Sequence, residues 1–277
     1  MTIKVIITGG DSFTAGDETA ADIILPGYTS HTRPAMSLLS NSKKLDKLRK
    51  KFNNKLLHLG PEVTKMYKQQ CLSLAWPAYL EKLTGIPVIN VADFGISNHE
   101  IVHKIITRYL EHLKQFKPEE ILILMMISSP ARIAFPRTDI IESDFEINRY
   151  CSGMIHPEAT GPNNVITTQW FKTHNDWDMF WSSFAQISGL IAFMNKKGST
   201  INLYTSGLWE MFVDADRNID KPVQEVAHML DIKLHMKQII VDNKIDCFLA
   251  GHHPNTAGHE IFAQYVYRYI KNFILQT

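Results

Sequence analysis

Short apolar runs alternate along this chain with longer stripes in which apolar residues recur about every 3.6 positions, and that alternation restricts the fold more than any other feature. The runs are Ile3, Val5, Ile6 and Ile7, then residues 87–91, 121–127, 200–204 and, more weakly, 247–249. The stripes cover 99–116, 177–196, 223–242 and 258–275; in the first, Ile101, Val102, Ile105, Ile106, Tyr109, Leu110 and Leu113 share one broad face. Strands that alternate with helices pair in parallel through right-handed crossovers. A first strand apolar at almost every position is covered on both faces, as parallel sheets are. Ligands of such sheets collect beyond the carboxyl ends of the strands, which directs attention to Thr8-Gly9-Gly10-Asp11-Ser12.

With 277 residues, 45% hydrophobic and 21% charged, the chain can bury the core of one large domain, and its composition is that of a folded protein rather than a disordered one. The formal net charge of +1 gives no general pull toward nucleic acid. The one basic block, Lys43 to Lys51, has the spacing of a solvated amphipathic helix face. Cys71, Cys151 and Cys247 are isolated and odd in number, so neither a disulfide framework nor a CxxC metal pattern is expected. Polar residues from Gly10 onward interrupt the N-terminal apolar run, so it does not read as a signal peptide, and no run approaches a membrane span. The expected setting is cytoplasmic, which includes host cytoplasm or a virion if the chain is phage-encoded. The oligomeric state is left open.

Two segments exceed ordinary connections, roughly 22–68 and 133–175; the second holds Pro136, Pro157, Gly161, Pro162, Asn163 and Asn164. They read as insertions of the kind that form rims and lids. In the second, Trp170 stands out from the aromatic group Trp170, Phe171, Trp177, Phe180, Trp181 and Phe184, which otherwise reads as core.

Near the other end, Ala250 to Val266 reads AGHHPNTAGHEIFAQYV. Pro254 and Asn255 mark a turn and Thr256 can cap a helix, so His252 and His253 lie in a loop at a helix entrance. That loop is expected to face the same rim as Ser12. A hydroxyl and an imidazole brought together there make a nucleophile and its general base, because serine is a poor nucleophile until something accepts its proton. Other readings of these residues are blander. Gly9 and Gly10 lie in neither GxGxxG nor GxxxxGK[ST], Asp11 suits a turn, His259 suits helix packing, and no HExxH or Cys partner supports zinc.

Gly10-Asp11-Ser12-Phe13-Thr14, followed by Asn90-x4-Gly95-x-Ser97-Asn98 and by His253-Pro254-Asn255-x-x-Gly258-His259, resembles the SGNH (GDSL-type) hydrolase family from first strand to last helix. Trp76-Pro77 is similar to the SWP segment of phage-borne members. The resemblance implies a single domain over 1–277 of class α/β: a three-layer α/β/α sandwich around a five-stranded parallel sheet of flavodoxin-like order, carrying the two insertions. It further implies Ser12 as nucleophile and His253 as base, with an oxyanion hole made by the backbone N–H groups of Ser12 and Gly95 and by one side-chain donor. No metal or organic cofactor is implied, and the substrate is an O-acyl ester, small or carbohydrate-linked.

Two departures matter. Where the family places Gly-x-Asn-Asp after the third strand, this chain reads Met126-Ile127-Ser128-Ser129-Pro130-Ala131-Arg132, so Ser128 is the expected third donor, with Arg132 beside the pocket. Asp11, Asn98 and His252 complete the expected surroundings. The family's aspartate three residues before the histidine is replaced by Ala250, leaving a Ser12–His253 dyad or an atypical triad, with Asp246 the upstream acid that sequence cannot aim. A catalytically impaired SGNH-like binding or virion-associated module, and an O-acyltransferase, are the competing readings.

Overall fold

The computed structural model describes residues 2–30, 43–130, 132–136, 150–154, 176–207, 229–243, 248–249 and 253–274. Five parallel strands form its centre: β1 (Val5–Gly9), β2 (Val88–Asn90), β3 (Ile121–Ile127), β6 (Thr200–Thr205) and β7 (Ile232–His235). Their order across the sheet is β2-β1-β3-β6-β7, the flavodoxin-like order expected. A separate antiparallel pair, β4 (Arg132–Pro136) and β5 (Tyr150–Met154), lies within the second long insertion.

The pleat sorts the central strands onto two cores. Val5, Ile7, Ile121, Ile123, Met125 and Ile127 meet Ile101, Ile105 and Tyr109 of α5 (Asn98–His112) and Phe180, Ile187, Leu190 and Met194 of α6 (Asp176–Lys197). Ile6, Leu122, Leu124 and Met126 meet the other layer. It is built by Trp76 and Leu80 of α4 (Trp76–Thr84), Ile239 and Ile240 of α7 (Met236–Asp242), and Phe262, Val266 and Ile270 of α8 (Thr256–Ile274). Each strand is apolar on both sides because each side is covered, which is why β3 is buried at all seven positions. Local signals set the helix ends. Ser97 and Glu100 form a capping box at the start of α5, and Pro77 sits in the first turn of α4.

The first insertion has a core of its own. Helices α2 (Lys43–Leu57) and α3 (Pro61–Leu74) bring Phe52, Tyr67 and Cys71 against Ile24, Leu25, Tyr28 and Leu249, and burial pushes the Cys71 thiol up to about 11. The basic residues of α2 lie on its exposed side, as a solvated face should.

Two sequence expectations need correction. The fifth strand is Ile232–His235, not 247–249; Phe248 makes only an isolated bridge to Pro254. Correspondingly, the stripe 223–242 is not one helix, for its second half divides into β7 and α7 and its first part lies outside the described residues. Ile-Lys-Leu-His is a short edge strand, half-buried throughout, and its two alternating apolar residues, Ile232 and Leu234, are too few to stand out as a strand in the sequence. The stripe 258–275 is α8, buried through Phe262, Ala263, Val266 and Ile270.

Gly16 closes α1 (Ser12–Ala15) in the left-handed region, at φ +73°. A Cβ there would stand 2.7 Å from the Cys71 carbonyl oxygen and 2.9 Å from the Ala75 Cβ. Both the conformation and the space exclude a side chain. Gly16→Ala is therefore expected to lower stability by about 1–3 kcal/mol, read as a lower urea midpoint at unchanged slope.

Candidate active site

The carboxyl ends of β1, β2 and β3 are tied together by buried and half-buried polar side chains. Asp11 caps α1 by accepting the Phe13 N–H at 3.1 Å, and its second oxygen accepts the Ser128 hydroxyl at 3.0 Å. The Ser128 N–H donates to Asn98 Oδ1 at 2.9 Å while Asn98 Nδ2 donates to the Ser128 carbonyl at 3.0 Å. Asn90, at the end of β2, donates from Nδ2 to the Thr14 carbonyl at 3.2 Å, and its Oδ1 accepts the Thr8 hydroxyl at 3.2 Å and the Ala92 N–H at 3.1 Å. These bonds fix α1, and with it Ser12, to the sheet.

The imidazole arrives from the far end of the chain. Leu249 N–H donates to the His253 carbonyl at 2.8 Å, Phe248 bridges Pro254, and Asn255 Oδ1 accepts the Gly258 N–H at 3.0 Å at the entrance to α8. His253 Nε2 then lies 2.9 Å from Ser12 Oγ. Its ring packs on Phe13 with centroids 5.0 Å apart, and Lys237 Nζ stands 5.4 Å from the centroid of the same phenyl ring. Ser12 is 4% exposed and the His253 side chain 13%.

Two consecutive carboxylates face that ring. Glu18 Oε2 is 3.7 Å from Nδ1, and Asp17 Oδ2 is 3.9 Å from Nε2. At 3.7 Å the first contact is an ion-pair separation, and no hydrogen-bond acceptor reaches Nδ1 among the described residues. Glu18 adopts φ +66°, in a region that non-glycine residues rarely enter. Its N–H donates to Asp17 Oδ1 at 2.9 Å and to the Tyr67 hydroxyl at 3.0 Å, and that hydroxyl donates to Asp17 Oδ1 at 2.9 Å.

The electrostatics follow from this crowding. Burial works against a charged His253 ring, yet Glu18, Asp17 and Asp11 together hold its pKa above the usual imidazole value. Asp17 is raised, by burial first and by Glu18 as well, with His253 and Tyr67 opposing. Burial, and after it the Glu18 charge, raises the Tyr28 hydroxyl. His259 is different in kind. It is fully buried, accepts the Trp76 N–H on Nδ1 at 3.3 Å, and is pushed down to about 3 by burial and by His253, so it stays neutral as a packing residue.

The expected residues divide accordingly. Ser12 and His253 meet, and Gly95 occupies the turn between β2 and α5 at φ +70°. Ser128, expected as the third oxyanion donor, is fully buried after β3, and its hydroxyl donates to Asp11. Asp11 and Asn98 are fully buried and clamp the sheet end through the bonds above. Arg132 opens β4, with its side chain outside the described residues; His252, Asp246, Ala250 and Trp170 also lie outside them. Sequence reasoning missed Asp17, Glu18 and Tyr67. The available signal was a pair of carboxylates immediately after Gly16, in the nucleophile's own loop.

Among the described residues, no group of three or more His, Cys, Asp or Glu is arranged to hold a metal ion, and no helix is long and apolar enough to cross a membrane.

No protein-family model matches the sequence, and no curated protein matches it either. Among solved structures the chain is similar to a member of the lipolytic G-D-S-L family from Veillonella parvula DSM 2008, with 13% identity, TM-score 0.43, and 96% of this chain and 98% of that one covered. It is also similar to a carbohydrate esterase, with 11% identity, TM-score 0.44, and 98% and 66% covered. A third is the acetyl xylan esterase Est2A from the rumen bacterium Butyrivibrio proteoclasticus, with 11% identity, TM-score 0.45, and 98% and 64% covered.

Asn98→Ala would leave the buried N–H and C=O of Ser128 unpaired. Each costs about 1–3 kcal/mol, so denaturant unfolding of this variant is expected to show a loss of at least that size.

Proposed function

We propose that this protein is a serine hydrolase that cleaves O-acyl esters, with Ser12 as nucleophile and His253 as general base, in a single domain carrying two insertions. The observation that carries the reading is the 2.9 Å contact between Ser12 Oγ and His253 Nε2 at the carboxyl rim of a parallel sheet. In the first half-reaction Ser12 Oγ bonds to the acyl carbon as its proton passes to His253 Nε2. The tetrahedral oxyanion then collapses with cleavage of the ester C–O bond, and the same proton goes to the departing alkoxide. Water attacks the acyl-enzyme by the same route, releasing the acid and restoring Ser12.

The oxyanion is met by the backbone N–H groups of Ser12 and Gly95, donors that depend on fold and not on side-chain identity. The motifs shared with SGNH hydrolases, phage-borne members included, support the assignment. An ester on a carbohydrate belongs to the substrate class on this reading.

The test is hydrolysis of p-nitrophenyl acetate. Ser12→Ala and His253→Ala are each expected to lower kcat by about 10³-fold or more. Wild-type rates in both variants would overturn the enzyme reading and favour a binding module, while a new ester formed with an added sugar acceptor would identify acyl transfer. The basic form of His253 is the active one, and its neighbours raise its pKa. Activity is therefore expected to rise with pH along a limb centred above the ordinary imidazole value of about 6.5.

A further inference from the structure

We infer that Glu18 is the positioning carboxylate of this site, pairing with His253 Nδ1 from within the nucleophile's own loop and taking the part that an acid upstream of the histidine would otherwise play. The inference rests on the reading of Ser12 and His253 as nucleophile and base.

Geometry assigns the part to Glu18 and not to its neighbour. For Nε2 to accept the Ser12 proton, the ring must carry its own proton on Nδ1. Glu18 Oε2 is the carboxylate oxygen facing that nitrogen, at 3.7 Å, and its side chain is 4% exposed. The separation is longer than a formed hydrogen bond, as catalytic contacts often are before substrate tightens them. Asp17 stands on the other side of the ring, with Oδ2 at 3.9 Å from Nε2, while its Oδ1 is engaged by the Tyr67 hydroxyl and the Glu18 N–H.

The backbone supplies the second argument. A glutamate held at φ +66° in a buried loop is an unfavourable choice unless its surroundings enforce it and its side chain is needed where that conformation points it. The enforcement is visible. Gly16 turns the chain, and Tyr67 of α3 and Asp17 both accept the Glu18 N–H. Tyr28 and Tyr67, both from the first insertion, pack with Phe52 around the site, so the insertion that lengthens the chain also braces the acid.

During turnover Nδ1 keeps its proton, directed at Oε2, while Nε2 takes the Ser12 proton and passes it to the leaving alkoxide.

The experiment compares wild type with Glu18→Gln, which keeps the backbone bonds, and with Glu18→Asp, which keeps the charge. Two quantities are read: kcat and KM on p-nitrophenyl acetate, and the titration of His253 followed by NMR. The groups facing that ring are Glu18, Asp17 and Asp11, with His259 of α8 behind it. Glu18→Gln is expected to lower kcat by about 10²- to 10⁴-fold with KM little changed, and to move the His253 midpoint to lower pH, with partial recovery of both in Glu18→Asp. An unmoved His253 titration in Glu18→Gln would overturn the pairing whatever happens to kcat, and a moved titration with wild-type kcat would overturn the positioning role. Because the titration needs no turnover, a wild type inactive on esters would remove the hydrolase reading while the Glu18–His253 pairing is still decided by the midpoint.

Discussion

Two side chains 241 positions apart in sequence lie 2.9 Å from each other, and the proposed chemistry depends on that meeting. The hydrogen bond itself cannot enforce it, since a single such bond contributes only about 0.5–1.5 kcal/mol net. The enforcement comes from α8, whose Phe262, Val266 and Ile270 are fully buried against one face of the sheet at about 1.5–3 kcal/mol each. Trp76 extends the same contact with its ring edge-on to Phe262 and Tyr204, and its backbone N–H donates to His259 Nδ1 inside α8. Apolar burial thus fixes the helix, and the helix entrance carries the imidazole to the serine.

The serine side is fixed by polar groups instead. The Asp11, Asn90 and Asn98 side chains bond backbone at the ends of β1, β2 and β3, where strands stop and their next N–H and C=O groups need partners. Asp11 shows how economical the arrangement is: one carboxylate caps α1 and also holds the chain after β3, so the turn bearing Ser12 moves only if the sheet end moves with it.

What was legible in the sequence follows from these two kinds of force. β1 and β3 were readable because strands covered on both faces leave continuous apolar runs, and α5 and α8 because a helix packed on one side leaves a stripe. The fifth strand was not, since β7 is a half-exposed edge whose Ile232 and Leu234 alternate too briefly to stand apart from the α7 residues that follow at once. At the site, Ser12 and His253 carried their neighbours' pattern with them. Glu18 carried none, because its approach to the imidazole depends on one left-handed residue and a tyrosine 49 positions away. Ser128 follows β3 as expected, and its hydroxyl proton goes to the buried Asp11 carboxylate, a pairing that sequence spacing does not reveal.

The placing of Asp17 and Glu18 side by side looks costly, since each buried carboxylate raises the free energy of its neighbour's charge. On the proposed mechanism that cost has a direction. While the imidazole is neutral, the Asp17 carboxylate accepts the Tyr67 hydroxyl and the Glu18 N–H. When Nε2 takes the serine proton, a positive ring forms between Oε2 of Glu18 and Oδ2 of Asp17 and attracts both carboxylates. Stabilisation that appears only as charge develops lowers the barrier and not the ground state. A lone acid upstream of the histidine would supply one such contact; a loop that carries both acids beside the nucleophile supplies two, from residues the nucleophile's own turn already has to hold still.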